Sequence, residues 1–214
     1  MPVHETKILI ADDHEVVRRG LKHILEDEFS SLMVGEASTG AEAVEAARSQ
    51  NWDIVLLDIN MPGRGGLEVL GDLREMCPNI PVLVLSVFPE TDYALRAIKL
   101  GAAGYLTKRS ASEELLGAIR KVLGGGRYVS EAVAEKLARH LSGDTPAAPH
   151  ERLSDRELQV LRLVGAGKTI KEVAAEMCLS QKTVGTYRSR ISEKMHLSTN
   201  VELARYALQH HLVD

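Results

Sequence analysis

The sequence predicts an α/β domain built on a five-stranded, doubly wound parallel sheet, followed by a smaller all-α domain of four helices. Short apolar runs alternate with helix-like segments five times before about residue 125, which is the pattern of successive βα units. The charge balance also changes along the chain. Before Gly143 there are 16 basic and 21 acidic residues (−5), and from Gly143 onwards 10 basic and 9 acidic residues (+1).

Each predicted strand is a short run rich in Val, Ile and Leu, and a helical segment follows it. Because the runs are apolar almost throughout, we expect strands that are buried on both faces of the sheet. The fifth helix is expected to open at a capping box of Ser110 and Glu113. The predicted strands are KILIAD, LMVGEA, DIVLLD, PVLVLS and GYLT.

The sequence of residues 150–214 predicts four short helices that begin at recognisable capping residues. A tight turn at MCLS, between the second and third of them, predicts a helix-turn-helix arrangement. The predicted domains are 1–125, a linker at 126–149 with one helix from about Ser130 to Leu141, and 150–214. The capping residues are Ser154 with Glu157, Thr169 with Glu172, Ser180, and Thr199 with Glu202.

Composition excludes some classes of protein. No apolar run approaches the roughly 18 residues of a membrane span, so we expect no membrane partner. Cys77 and Cys178 lie far apart and form no CxxC motif, which predicts two free thiols and a cytoplasmic location.

Polar residues follow four of the five predicted strands. In a parallel sheet, the carboxyl ends of the strands share one edge, where ligands bind, so we expect these side chains to converge. A single polar residue at the start of a loop would be unremarkable, but a set at four strand ends predicts a site. The set consists of Asp12 and Asp13 after the first strand, Asp58 after the third, Ser86 after the fourth and Lys108 after the fifth.

Three carboxylates at one edge repel one another unless a cation joins them, and Mg²⁺ prefers oxygen ligands. We expect Asp13 and Asp58 to bind Mg²⁺ directly with the backbone carbonyl of Asn60, and Asp12 to act partly through water. The adjacent His14 is expected to be a loop histidine without a ligand role.

Such a site suits phosphoryl transfer. The metal would orient a phosphoryl group towards Asp58, because carboxylates can form acyl-phosphate intermediates. Lys108 would pair with the phosphoryl oxygens, and the Ser86 hydroxyl would donate a hydrogen bond to one of them.

The stretches ILIADDHEVVRRGL, DIVLLDINMPGRGGLEVL, VLVLS and GAAGYLTK resemble the receiver domain of bacterial two-component response regulators, over about residues 5 to 124. The resemblance implies that Asp58 accepts a phosphoryl group from a sensor histidine kinase. It implies that Asp12 and Asp13 hold Mg²⁺ and that Lys108 contacts the phosphoryl group. Ser86 and Tyr105 take the two switch positions of the family.

The stretch from Leu153 to Leu197 resembles the LuxR-type helix-turn-helix, so the two halves together resemble a response regulator of the NarL/FixJ type. This implies double-stranded DNA as a partner, a homodimer when phosphorylated, and RNA polymerase as a candidate partner. In the recognition helix, the basic and polar side chains are expected to reach phosphates or groove edges, and three small residues occupy the positions where the family reads bases. The first group is Lys182, Thr183, Tyr187, Arg188, Arg190 and Lys194, and the second is Gly185, Thr186 and Ser189.

The last helix carries Val201, Ala204 and Leu208 at helical spacing. The resemblance implies that this helix pairs two subunits, while the alternative is that it completes the small core.

Two other functions also stay open. One is a Mg²⁺-dependent phosphohydrolase, which Asn60 disfavours because an amide cannot protonate a leaving group. The other is a DNA-binding protein whose receiver needs no phosphate. The prediction is a regulator that is not an enzyme.

Overall fold

The computed structural model describes residues 5–61, 65–87, 90–141, 148–210 and 212–213. The chain forms two compact units, Met1–Ser142 and Gly143–Asp214. None of the described helices is both long enough and apolar enough to cross a membrane. Cys77 and Cys178 are both free thiols.

The first unit is a five-stranded parallel sheet in the order β2-β1-β3-β4-β5, which confirms the predicted doubly wound fold. The order reverses between β1 and β3, and this is the place where such sheets bind their ligands. The strands are β1 (Thr6–Ala11), β2 (Leu32–Ala37), β3 (Ile54–Asp58), β4 (Val82–Ser86) and β5 (Gly104–Thr107). The helices are α1 (Glu15–Glu28), α2 (Gly40–Ser49), α3 (Gly66–Met76), α4 (Glu90–Lys99), α5 (Ala111–Leu123) and α6 (Glu131–Leu141).

The central strands are buried on both faces, as their continuous apolar sequences predict. Alternate residues of these strands, such as Ile10 and Leu56, pack with α1 and α5 in one hydrophobic cluster. The intervening residues, such as Leu9 and Leu57, are equally buried. At the β2 edge, the indole of Trp52 lies where a side chain at Gly35 would be, and its Nε1 donates to the Ala46 carbonyl.

One prediction about local structure is wrong. Ser110 does not cap α5, because its backbone is already near-helical and its hydroxyl interacts with the carbonyl and hydroxyl of Thr107. The side chain of Glu113, the other half of the predicted capping box, lies outside the described residues. The helix predicted in the linker is α6, and it contacts α4 within the first unit, with Val133 buried.

The described residues of the second unit form a short 3-10 helix (Pro149–Arg152) and four α-helices. All three predicted capping boxes, at Ser154, Thr169 and Thr199, are formed, and the Ser180 hydroxyl accepts a hydrogen bond from the Thr183 N–H. The helices are α7 (Asp155–Gly165), α8 (Ile170–Glu176), α9 (Gln181–Met195) and α10 (Asn200–Gln209). Their buried apolar residues include Leu158, Leu161, Val173, Val184, Ile191 and Leu203.

The turn between α8 and α9 depends on a residue in a left-handed conformation. Cys178 has φ +52° just after the end of α8, a position where glycine is usual. We expect Cys178→Gly to raise the free energy of unfolding of this unit by about 1 kcal/mol, because glycine has no Cβ to strain there. Urea denaturation followed by circular dichroism measures the change. Cys178→Ala is the control: it removes the thiol but keeps the Cβ, so it should give no such gain.

Candidate functional site

The side chains that follow β1, β3 and β5 meet at the carboxyl edge of the sheet. Lys108 Nζ donates to Asp12 Oδ2 (2.6 Å) and to Asp58 Oδ2 (2.7 Å), and both aspartates are about 1% exposed. The backbone N–H of Lys108 also donates to the carbonyl of Ser86 at the end of β4. The structure therefore brings together side chains from three strand ends and the backbone of a fourth, while the roles predicted for these residues stay predictions.

The loop after β3 holds the second oxygen of Asp58. The Asn60 N–H donates to Asp58 Oδ1 at 2.8 Å, and the Ile59 N–H donates to the Leu85 carbonyl at 3.3 Å. Gly66 closes this loop, and a Cβ at this position would lie 2.1 Å from Ile59 Cα. Ile59 and Gly66 therefore approach each other so closely that only glycine fits at position 66. The predicted ligand role of the Asn60 carbonyl stays a prediction.

The turn after β1 is fixed by an arginine that the sequence analysis missed. Arg18 Nη1 donates to the Asp12 carbonyl (2.8 Å), and Arg18 Nε donates to Glu36 on β2 (3.0 Å). The His14 N–H donates to Asp12 Oδ1 at 2.8 Å. An arginine one turn into α1 looks like an ordinary surface residue in the sequence, because its partners lie on other elements.

Burial and charge oppose each other at this site. Burial raises the pKa of Asp58 above the usual range of an aspartate, and the attraction of Lys108 offsets this only partly. Burial alone would lower the pKa of Lys108, but the carboxylates of Asp58 and Asp12 outweigh it and raise that pKa. Lys108 therefore stays a cation, while Asp58 is a poorly solvated carboxylate.

The acidic cluster fits a divalent cation. Ligand atoms of Asp12, Asp13, His14 and Asp58 lie within 4.8 Å of one another. Asp13 Oδ1 is buried and has no hydrogen-bond partner among the described residues. The three carboxylates and the Lys108 ammonium carry a net charge of −2, which a divalent cation would balance. Carboxylate oxygens are ligands that Mg²⁺ prefers.

The two predicted switch residues are both inside the first unit. Ser86 is fully buried at the end of β4, and Tyr105 on β5 is also buried, so its ring lies inside the protein in this structure. The backbone N–H of Tyr105 donates to the Tyr128 carbonyl, which lies beside β5.

In α9, two of the four basic side chains that are predicted to reach DNA are engaged within the unit. Arg188 donates to the Asn200 side chain, the Ser192 hydroxyl and the Ser198 carbonyl. Lys194 Nζ donates to Glu157 Oε2 at 2.6 Å. Both side chains thus connect α9 to neighbouring elements, and their assignment to DNA stays a prediction. Lys182 and Arg190 are exposed.

The remaining predicted DNA contacts divide by exposure. Thr186 and Ser189 are exposed, and their hydroxyls donate to the carbonyls of Lys182 and Gly185 one turn earlier in α9. Thr183 and Tyr187 are half-buried, and the Thr183 hydroxyl contacts the Ser180 cap. A Cβ at Gly185 would meet no described atom within 4 Å, so the fold of this unit does not require a glycine there.

Helix α10 has one face in the core and another that is open. Leu203 and Ala207 are fully buried, whereas Val201 is 78% exposed and Leu208 is 52% exposed. Ala204 is half-buried. The predicted pairing residues therefore do not supply the core of this helix, which Leu203 and Ala207 provide instead.

The Glu157–Lys194 pair should make the second unit sensitive to acid. Burial opposes ionisation of Glu157, but Lys194 and Ser154 outweigh it and lower the pKa of this carboxyl. A lowered pKa stabilises the fold above about pH 4.3, the ordinary value for glutamate, and this contribution is lost as the pH falls further. We expect Glu157→Gln to reduce stability by about 1–2 kcal/mol at pH 7, since Lys194 is partly exposed, with a smaller difference at pH 4.

Hydrogen exchange of α7 peptides, followed by mass spectrometry, measures this effect. Glu176→Gln is the matched control, because Glu176 pairs with Lys168 on the exposed surface. An equal loss of protection in both variants, or a loss that does not depend on pH, would contradict the assignment.

Comparison with known proteins agrees with this arrangement. The pattern of the response regulator receiver domain matches residues 8–120, and that of the luxR family of bacterial regulatory proteins matches residues 151–207. Response regulator GacA of Pseudomonas aeruginosa is 39% identical over 209 residues, covering 97% of this chain and 98% of that protein. Response regulator UvrY of Escherichia coli K12 is 37% identical over 208 residues, covering 97% and 95%.

Solved structures show the same fold. RcsB from Salmonella enterica serovar Typhimurium, bound to promoter rprA in the presence of phosphomimetic BeF3⁻, has a TM-score of 0.62 at 23% identity, over 95% of this chain and 98% of that one. A LuxR-family two-component response regulator from Aurantimonas sp. SI85-9A1 has a TM-score of 0.59 at 32% identity, over 65% and 99%. The chain therefore belongs to the NarL/FixJ family of two-component response regulators, transcription regulators in which a receiver domain precedes a LuxR-type DNA-binding domain.

Proposed function

We propose that Asp58 accepts a phosphoryl group from a sensor histidine kinase and that this modification controls how the second unit binds double-stranded DNA. The observation that carries the proposal is the position of the Lys108 ammonium, which bridges the carboxylates of Asp12 and Asp58 at the end of the sheet. A cation in this position stabilises the acceptor before transfer and pairs with phosphoryl oxygens afterwards. A kinase phosphodonor and DNA as partners imply action in the cytoplasm.

In the proposed reaction, an Asp58 oxygen attacks phosphorus, and the bond from phosphorus to the kinase histidine nitrogen breaks. The electron pair of that bond leaves with the imidazole. Before attack, Asp58 Oδ1 is held by the Asn60 N–H and Oδ2 by Lys108, so the carboxylate cannot rotate freely. Mg²⁺, bound by Asp12, Asp13, Asp58 and the Asn60 carbonyl, would supply the charge that neutralises the phosphoryl oxygens.

One experiment separates this function from the two alternatives. The full chain is incubated with acetyl phosphate and Mg²⁺, its intact mass is followed, and its DNA affinity is measured on the same sample. We expect a gain of one phosphoryl group and a change in DNA affinity. Continuous release of inorganic phosphate in large excess over protein would indicate a phosphohydrolase instead. A mass gain without any change in DNA affinity would indicate a DNA-binding protein that does not depend on phosphate.

Ser86 is proposed to couple the acceptor to the rest of the receiver. Its hydroxyl would move towards the new phosphoryl oxygens, while Tyr105 and α4 would adjust around it. The output would be release of the second unit, formation of a dimer, or both. We expect Ser86→Ala to keep the mass gain but to lose most of the change in dimer formation and DNA affinity. Sedimentation and DNA titration after phosphorylation measure this, and equal responses in variant and wild type would contradict it.

For the second unit, we propose that α9 enters the major groove and that Lys182 and Arg190 contact phosphates, while Gly185, Thr186 and Ser189 face the bases. Val201, Ala204 and Leu208 would pair two subunits along α10, since the two larger side chains are exposed. Each dimer would then present two recognition helices to half-sites one helical turn apart. A bound dimer would also place RNA polymerase within reach as a candidate partner.

A further inference from the structure

The side chain of His14 lies beside Asp12 and Asp13, in a position that a hydrogen bond does not explain. Its Nδ1 lies 2.9 Å from Asp13 Oδ1 and 3.3 Å from Asp12 Oδ1. Asp13 Oδ1 nevertheless has no hydrogen-bond partner among the described residues, so the imidazole N–H direction does not point at this oxygen. When the imidazole nitrogen turns its lone pair towards a carboxylate oxygen in this way, the two atoms repel each other unless both face a shared cation.

The spacing agrees with neighbouring ligands on one ion. Two ligand atoms about 2.1 Å from an octahedral metal lie about 3.0 Å apart when adjacent and about 4.2 Å apart when opposite. The two nitrogen–oxygen distances, 2.9 Å and 3.3 Å, match the adjacent spacing. His14 is the N-cap residue of α1 and has an extended backbone, and its side chain makes no capping hydrogen bond.

We propose that His14 is a metal ligand through Nδ1, so that this receiver binds a transition-metal dication such as Co²⁺, Ni²⁺ or Zn²⁺ more tightly than Mg²⁺. The inference rests on the proposed metal site of Asp12, Asp13 and Asp58 and adds a nitrogen donor to it. Imidazole suits these ions, whereas Mg²⁺ gains little from a nitrogen ligand. Since the carboxylates and Lys108 leave a charge of −2, a neutral imidazole and a dication together give a balanced site.

The test uses the tag-free full chain, stripped of metal with a chelator, and Co²⁺ as the probe. In proton NMR, a histidine bound to Co²⁺ through Nδ1 gives a strongly shifted, exchangeable signal from the Nε2 proton. We expect one such signal in the wild type and none in His14→Gln. In titrations, His14→Gln should weaken Co²⁺ binding about tenfold and change Mg²⁺ binding by less than about twofold.

Two controls keep the result interpretable. His23→Gln changes an exposed histidine within α1 and should keep both the signal and the affinities. Asp13→Asn should weaken both metals, because it removes a ligand that they share. Co²⁺ binding in the wild type without a shifted imidazole signal overturns the role of His14 but leaves the oxygen site intact. Absence of binding by either metal overturns the metal site itself, and with it this inference.

Discussion

The Asp58→Asn protein is expected to gain no phosphoryl group when it is incubated with acetyl phosphate and Mg²⁺, whereas the wild type gains one. An amide nitrogen or oxygen cannot form the stable acyl phosphate that a carboxylate forms. The substitution keeps the size of the side chain, and Lys108 still has Asp12 as a partner. We therefore expect the variant to fold, and intact mass spectrometry to show a loss of labelling that is all or none.

The matched control for this prediction is Asp27→Asn, an exposed carboxylate on α1 that should label like the wild type. Chelation of Mg²⁺ should block labelling of the wild type as well, since the unneutralised carboxylates then repel the donor. Stoichiometric labelling of Asp58→Asn, or a label mapped to a peptide without residue 58, would show that the acceptor has been assigned wrongly.

Lys182→Ala and Arg190→Ala should each weaken binding of the phosphorylated chain to any duplex about fivefold at 0.15 M salt, and should flatten the plot of log K against log salt by about 0.9. Both side chains are exposed on α9, so their charge is available to phosphates. Fluorescence anisotropy against a duplex selected by the protein, and against a random duplex, measures both quantities. The loss should be the same for both duplexes, because phosphate contacts carry no sequence information directly.

Arg188→Ala and Lys194→Ala are the matched basic substitutions on the same helix, and we expect a different outcome. Arg188→Ala removes three hydrogen bonds to Ser192 and to the start of α10, and Lys194→Ala leaves buried Glu157 without its cation. Each should lower the free energy of unfolding of the second unit by about 1–2 kcal/mol while leaving the salt slope unchanged. A flattened slope with unchanged stability would show that these groups leave their partners to bind DNA.

The contrast between these four basic residues shows where prediction from sequence stops. A run of basic residues on one helix indicates an interface with DNA, but it does not reveal which guanidinium or ammonium the rest of the domain already holds. Two of the three partners of Arg188, Ser198 and Asn200, lie ten and twelve residues away at the entry to α10, and the partner of Lys194 lies in α7. Contacts of this kind depend on how the helices pack, which local spacing does not encode.

The positions of Asp12, Asp58 and Lys108 were easier to predict. Parallel strands bring their carboxyl ends together regardless of the conformation of the loops. The convergence of Asp12, Asp58 and Lys108 follows from that rule alone. The same rule does not predict the contacts of Arg18 and His14, because these depend on side-chain direction at the start of α1. The prediction that Ser110 caps α5 was wrong for a similar reason, because its hydroxyl donates to the Thr107 carbonyl instead.

The buried indole of Trp52 gives the protein a built-in spectroscopic reporter. It is the one tryptophan of the sequence, and it is packed against Gly35 in the first unit with its Nε1 bonded to a carbonyl. Intrinsic tryptophan emission therefore follows the unfolding of the sheet domain alone, while circular dichroism, which sums over all helices, follows both domains. A denaturation midpoint that differs between the two signals would resolve two separate transitions in the intact chain, without cutting or labelling it.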